Sequence, residues 1–156
     1  MAAYQDNTKG CSSLPDILNT DSRKLLLFDL FLHVNRELDD FQRSTLKLVI
    51  GAEATVETVK EAITLLDQKA LLLSRAGWVP SNSKGDQVQT PDHYDRLPME
   101  PTFFIVTSGG YHWCIECFVK YVSRFRFKDG IQDLHKARRN LIMWAHEQAG
   151  DPRWSR

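Results

Sequence analysis

Cys114 and Cys117, separated by two residues within His112-Trp113-Cys114-Ile115-Glu116-Cys117, form the sharpest chemical signature in this chain. Two thiolates at that spacing can converge on one soft ion, and imidazole nitrogens complete the tetrahedral set that zinc prefers. The remaining ligands expected from the sequence are His135 and His146, with His112 and His93 as alternatives. The only cofactor expected is therefore a structural zinc ion. The same two cysteines could instead act as a redox pair if a helix start stabilised a thiolate.

A second group of residues suits polyanions rather than metals. Lys120, Arg124, Arg126, Lys128, Lys136, Arg138 and Arg139 alternate with Tyr121, Phe125 and Phe127. Cations that neutralise phosphates beside rings that stack on bases are the equipment of a single-strand nucleic-acid surface. Neither a phosphate-binding glycine loop nor a nucleophile elbow occurs around Ser108-Gly109-Gly110. The sequence thus gives catalysis little support.

These residues need a scaffold, and composition says which kind. The chain has 156 residues, 42% of them hydrophobic, with a formal net charge of +0. That length suits one domain, and the neutral sum supplies no global attraction to nucleic acid or anionic membranes. Three cysteines form an odd set, and the sequence shows no cleavable leader. A reducing compartment follows, cytoplasmic with the nucleus as an alternative. The most apolar run, Leu25–Leu32, is interrupted by Asp29 and is far shorter than the roughly 20 residues that a spanning helix requires.

Periodicity supplies the elements. Val56, Val59, Ile63, Leu66, Ala70 and Leu73 recur every three or four residues, which predicts a helix over 54–76 with one buried seam. Thr55 can cap its start and Gly77 can end it in a left-handed conformation. Upstream, Leu27, Phe31, Val34 and Leu38 mark an opening helix, while Leu26, Leu30 and Phe28 widen its apolar face. A helix apolar on two sides is either central or shared with another copy. Phe28, Leu30, Phe31 and, beyond the third helix, Trp78 are the expected interaction residues, and His33 is read as a buried or half-buried structural histidine. Phe41, Leu46, Val49 and Ile50 supply a second helix before Gly51.

The Leu-rich opening helix and Ala62-Ile63-Thr64-Leu65-Leu66-Asp67-Gln68-Lys69-Ala70-Leu71-Leu72 resemble death-effector-type six-helix interaction domains. The arginine-aspartate-leucine pattern of that family is absent and the second half departs from it, so no role passes to any residue.

After Gly77 the prolines at 80, 91 and 98 predict a long loop over 78–101, anchored by Trp78, His93 and Tyr94. Thr102–Thr107 is rich in β-favouring residues and leads into two glycines, which predicts a short strand or hairpin. A helix follows the glycines, and another runs from Ile131 to near Gly150.

The expected architecture is mainly α: a compact helical bundle with a short β strand or hairpin in the second half. Residues 1–16 form a flexible segment, 17–150 a single domain and 151–156 a tail. The expected function is a non-enzymatic module that binds itself or another protein, in the manner of small accessory or regulatory proteins such as viruses encode. The alternative is a nucleic-acid-binding protein, zinc-stabilised, that uses the basic second half.

Overall fold

The structure is a computed structural model that describes residues 20–51, 54–81 and 96–155. Within them the chain forms α1 (Thr20–Val34), α2 (Asp40–Leu46), α3 (Val56–Arg75), α4 (Pro101–Ser108), α5 (Trp113–Arg124) and α6 (Ile131–Gln148), with a π-helical turn Lys47–Gly51 continuing α2. The mainly helical expectation holds. Residues 1–19 and 82–95, which include His93, Tyr94 and most of the expected loop, lie outside the described residues.

The expected strand at Thr102–Thr107 is a correction, because that segment is α4. Pro101 occupies the first helical turn, where its missing N–H costs nothing. Pro101, Phe104, Ile105 and Ser108 are the buried positions, at the spacing of a helical stripe. The β preference of Phe, Ile, Val and Thr is a property of paired, half-buried surfaces, and among the described residues no strand exists to pair with. Gly109, with φ of 62°, closes the helix as its N–H donates to the Ile105 carbonyl at 3.0 Å.

α3 forms as its pattern requires. Thr55 accepts from the Thr58 N–H while Thr58 Oγ1 accepts from the Thr55 N–H, a reciprocal cap that satisfies free amides at the amino end. At the other end Gly77 adopts φ of 61°, and the Trp78 N–H returns to the Leu73 carbonyl at 3.0 Å. Val59, Ala62, Leu66 and Ala70 are fully buried, and α6 packs against both α3 and α5.

Buried polar side chains tie the remaining pieces together. Gln42 closes a capping box with Asp39, and its amide donates across the core to the carbonyls of Val122 and Ser123 at 2.8 and 3.0 Å. Those carbonyls lie in the last turn of α5, where no intrahelical donor remains to serve them. Arg43 treats α1 similarly, its guanidinium reaching the carbonyls of Leu32, Asn35 and Leu38 at 2.8 to 2.9 Å. A cation placed there also suits the negative end of the helix dipole.

α1 and α4 run antiparallel as neighbours. Lys24 Nζ donates to the Gly110 carbonyl at 3.1 Å, the Phe31 and Phe104 rings lie 4.8 Å apart, and Asn35 grips the Met99 backbone through both amide atoms at 2.8 and 2.9 Å. Contacts therefore descend α4 as they ascend α1, placing Leu30 at the level of Phe103 and Leu26 near Thr107.

Candidate interaction face

α1 shows two apolar sides, and the core accepts one of them. Phe28, Phe31 and Leu32 are buried against α4 and the π turn. Their opposite side carries Arg23, Leu26, Leu30 and His33, all exposed and spaced three, four and three residues apart. That alternation is the seam geometry by which one helix meets another. Leu26 is 59% exposed and Leu30 43%.

On α4, Phe103 and Val106 also face away from the core, 59% and 75% exposed. Each helix of the antiparallel pair thus keeps an exposed apolar row on the side it turns away from the core. Single exposed leucines need no explanation, but four large apolar side chains exposed on two neighbouring helices are surplus apolar surface of the kind found at interaction sites.

Of the expected interaction residues, only Leu30 belongs to this face. Phe28 and Phe31 are core residues, and Trp78 is half-buried with its ring 5.9 Å from that of Phe125. A Cβ on Gly130 would stand 3.2 Å from Trp78 and 3.0 Å from Pro80, so the segment after α3 lies directly on the α5–α6 corner. His33, expected to be buried or half-buried, is exposed within the outer row.

The proposed zinc ligands do not assemble among the described residues, where no group of three His, Cys, Asp or Glu side chains could hold a metal ion. His135 and His146 sit on one helix, α6, and eleven residues of α-helix separate them by about 16 Å. Both are exposed. His112 caps α5 instead: its Nδ1 accepts from the Cys114 N–H at 3.1 Å, which leaves the ring proton on Nε2. Nε2 lies 2.6 Å from Glu147 Oε2 but is poorly aligned with it, and that buried oxygen has no well-formed hydrogen bond.

The thiols are also unlike a redox pair. Burial pushes both Cys114 and Cys117 above the ordinary thiol value, and Glu147 adds to the effect at Cys114, whereas Lys120 partly opposes it at Cys117. Reactivity follows the thiolate fraction. With Cys11 replaced by serine, both remaining thiols should react with a disulfide reagent at pH 8 more than about tenfold slower in the native protein than in urea. A thiol that reacts rapidly in the native state would restore the redox reading.

The basic set is divided among intramolecular partners. Arg124 is buried with Asp133, its Nε and Nη2 lying 3.2 and 3.3 Å from the carboxylate oxygens. Lys136 meets Asp129 at 2.7 Å, Arg138 meets Asp67 at 2.7 Å, and Arg126 donates to the Glu37 carbonyl at 2.9 Å. Lys120 and Arg139 have interactions of their own, and Lys128 is half-buried. The interleaved rings are engaged too: Tyr121 lies beneath Arg124 and Lys136, and Phe127 beneath Arg126. Lys136 holds the Asp129 carboxyl below its ordinary range through their hydrogen bond, and is itself raised by it. Arg124 and Lys136 thus tie the end of α5 to the start of α6, Arg138 ties α6 to α3, and Arg126 reaches the segment that follows α1.

Residues 88–141 match the model of a family described as a protein of unknown function, DUF3310. The match takes in α4, α5 and the first part of α6, and leaves α1 to α3 outside it. No curated protein and no solved structure matches the chain. Among the described residues no helix is long and apolar enough to cross a membrane.

Proposed function

We propose that this protein is an interaction module that self-associates through the outer face of α1 and α4. The reading is carried by the exposed pair Leu26 and Leu30 beside the exposed pair Phe103 and Val106. A second copy suits this face because its outer row of α1 carries two leucines that can meet their own counterparts. Arg23 stands at the amino end of the outer row of α1 and His33 at its carboxyl end. Two such rows can meet antiparallel about a two-fold axis, as an isologous contact requires, with the leucines at the centre and each Arg23 opposite His33 of the other copy.

Sedimentation equilibrium tests this reading. The wild-type protein is expected to reach dimer mass in the micromolar range. Leu30→Glu should weaken association by about a hundredfold or more, because each dimer loses two buried leucines at roughly 1.5 kcal/mol or more apiece. An invariant monomer mass up to high micromolar concentration would overturn it, as would a Leu30→Glu variant that associates like wild type.

A further inference from the structure

A second feature lies around the corner of α1 from the outer row. A cleft of about 540 Å³ opens between the start of α1, the α4–α5 junction and the end of α6. That volume lies within the range of small-molecule sites, roughly 300–1,000 Å³. Exposed Leu25 and the outer edges of the buried Val49, Ile50, Ile115 and Trp144 give it an apolar lining, and Lys24, Tyr111 and Gln148 stand among its polar groups.

Lys24 is held in place there. Its ammonium donates to the Gly110 carbonyl at 3.1 Å and sits 5.2 Å from the centre of the Tyr111 ring. Gly110 permits the approach, since a Cβ at that position would stand 3.0 Å from Nζ. An ammonium has three donors and the carbonyl takes one. Burial pushes the Tyr111 phenol up to about 12, so near neutral pH it keeps its proton and offers a further donor.

The other titratable groups of the cleft limit the ligand's charge. His112 uses Nδ1 on the Cys114 amide and turns Nε2 to Glu147, so it supplies no free cation. Asp21, also at the edge, repels a second negative charge. One fixed cation, the neutral donors of Tyr111 and Gln148, and an apolar wall with an indole match a flat ring that bears a single carboxylate.

We propose that this cleft binds a small planar aromatic monocarboxylate, with the ring against Trp144 and Ile115 and the carboxylate on Lys24. The site is independent of self-association, since Lys24 points into the cleft whereas Leu26 and Leu30 face outward.

Titration of the full chain with 1-naphthoate, followed by amide and indole NMR, tests it, with 1-naphthalenemethanol as the uncharged analogue. Naphthoate is expected to shift Tyr111, His112 and the Trp144 indole saturably. Lys24→Met should weaken naphthoate about tenfold, the loss of one charge-assisted contact, and leave the alcohol unchanged. Lys24→Arg, which keeps the charge, should retain most of the affinity. The Leu30→Glu variant should bind as wild type, which separates this site from the association face. Absence of saturable shifts would overturn the proposal. So would equal losses for acid and alcohol in Lys24→Met, or shifts confined to residues outside the cleft.

Discussion

Replacing Asp133 with alanine should lower the free energy of unfolding by about 3–5 kcal/mol, the cost of leaving a buried charge without its partner. Asp133 is 0% exposed in the first turn of α6, and Arg124, 7% exposed, ends α5. The carboxylate accepts from Arg124 at 3.2 and 3.3 Å, and Lys136 approaches it at 3.4 Å. Without it, the guanidinium keeps its desolvation cost and loses its compensation, although the Tyr121 ring 5.1 Å away remains. Urea unfolding followed by circular dichroism measures the loss. The combined change Arg124→Met with Asp133→Leu should recover most of it, because an apolar pair of similar volume leaves no charge stranded. A loss below about 1 kcal/mol, the range of exposed ion pairs, would show that water reaches this corner.

That pair also shows where sequence reasoning stops. Arg124 was readable as a surface cation among six others, because spacing alone does not reveal that α5 turns this position towards α6. The same limit applies to α1. Its periodicity displays two apolar sides, yet only the arrival of Phe104 from the second half makes Phe28 and Phe31 the inner side and Leu26 and Leu30 the outer. Where the determinants are local, the sequence was sufficient. The seam of α3, its Thr55 cap and its Gly77 stop follow from residues within one helix, and the structure reproduces all three. Gln42 and Asn35 were opaque because their partners, Val122 and Met99, lie 80 and 64 residues away. The separation of His135 from His146 was legible, since two residues eleven apart on one helix cannot share an ion. The expected zinc set overlooked that constraint.

Phe104→Ala should cost about 3–5 kcal/mol, the range for truncating a buried aromatic, and its neighbour provides the contrast. Phe104 is 1% exposed and packs 4.8 Å from the Phe31 ring, with Phe28 and Tyr111 both at 6.1 Å. Its loss opens a cavity where α1, α4 and the α4–α5 junction meet, and the rings around it belong to two separate stretches of chain, α1 and the α4–α5 junction, so collapse of one element cannot fill it. Phe103, one residue earlier on the same helix, is 59% exposed. Phe103→Ala should leave the unfolding free energy of the monomer within about 0.5 kcal/mol and weaken self-association instead. Unfolding at submicromolar concentration isolates the first effect, and sedimentation at tens of micromolar isolates the second. A strand at this segment would also alternate these two side chains between faces, but it would group Phe104 with Val106 and Ser108. The helix groups Phe104 with Ile105 and Ser108 and leaves Val106 outside. Val106→Ala is therefore the deciding companion: a loss like that of Phe104→Ala would contradict α4, whereas an effect confined to association supports both the helix and the face it presents.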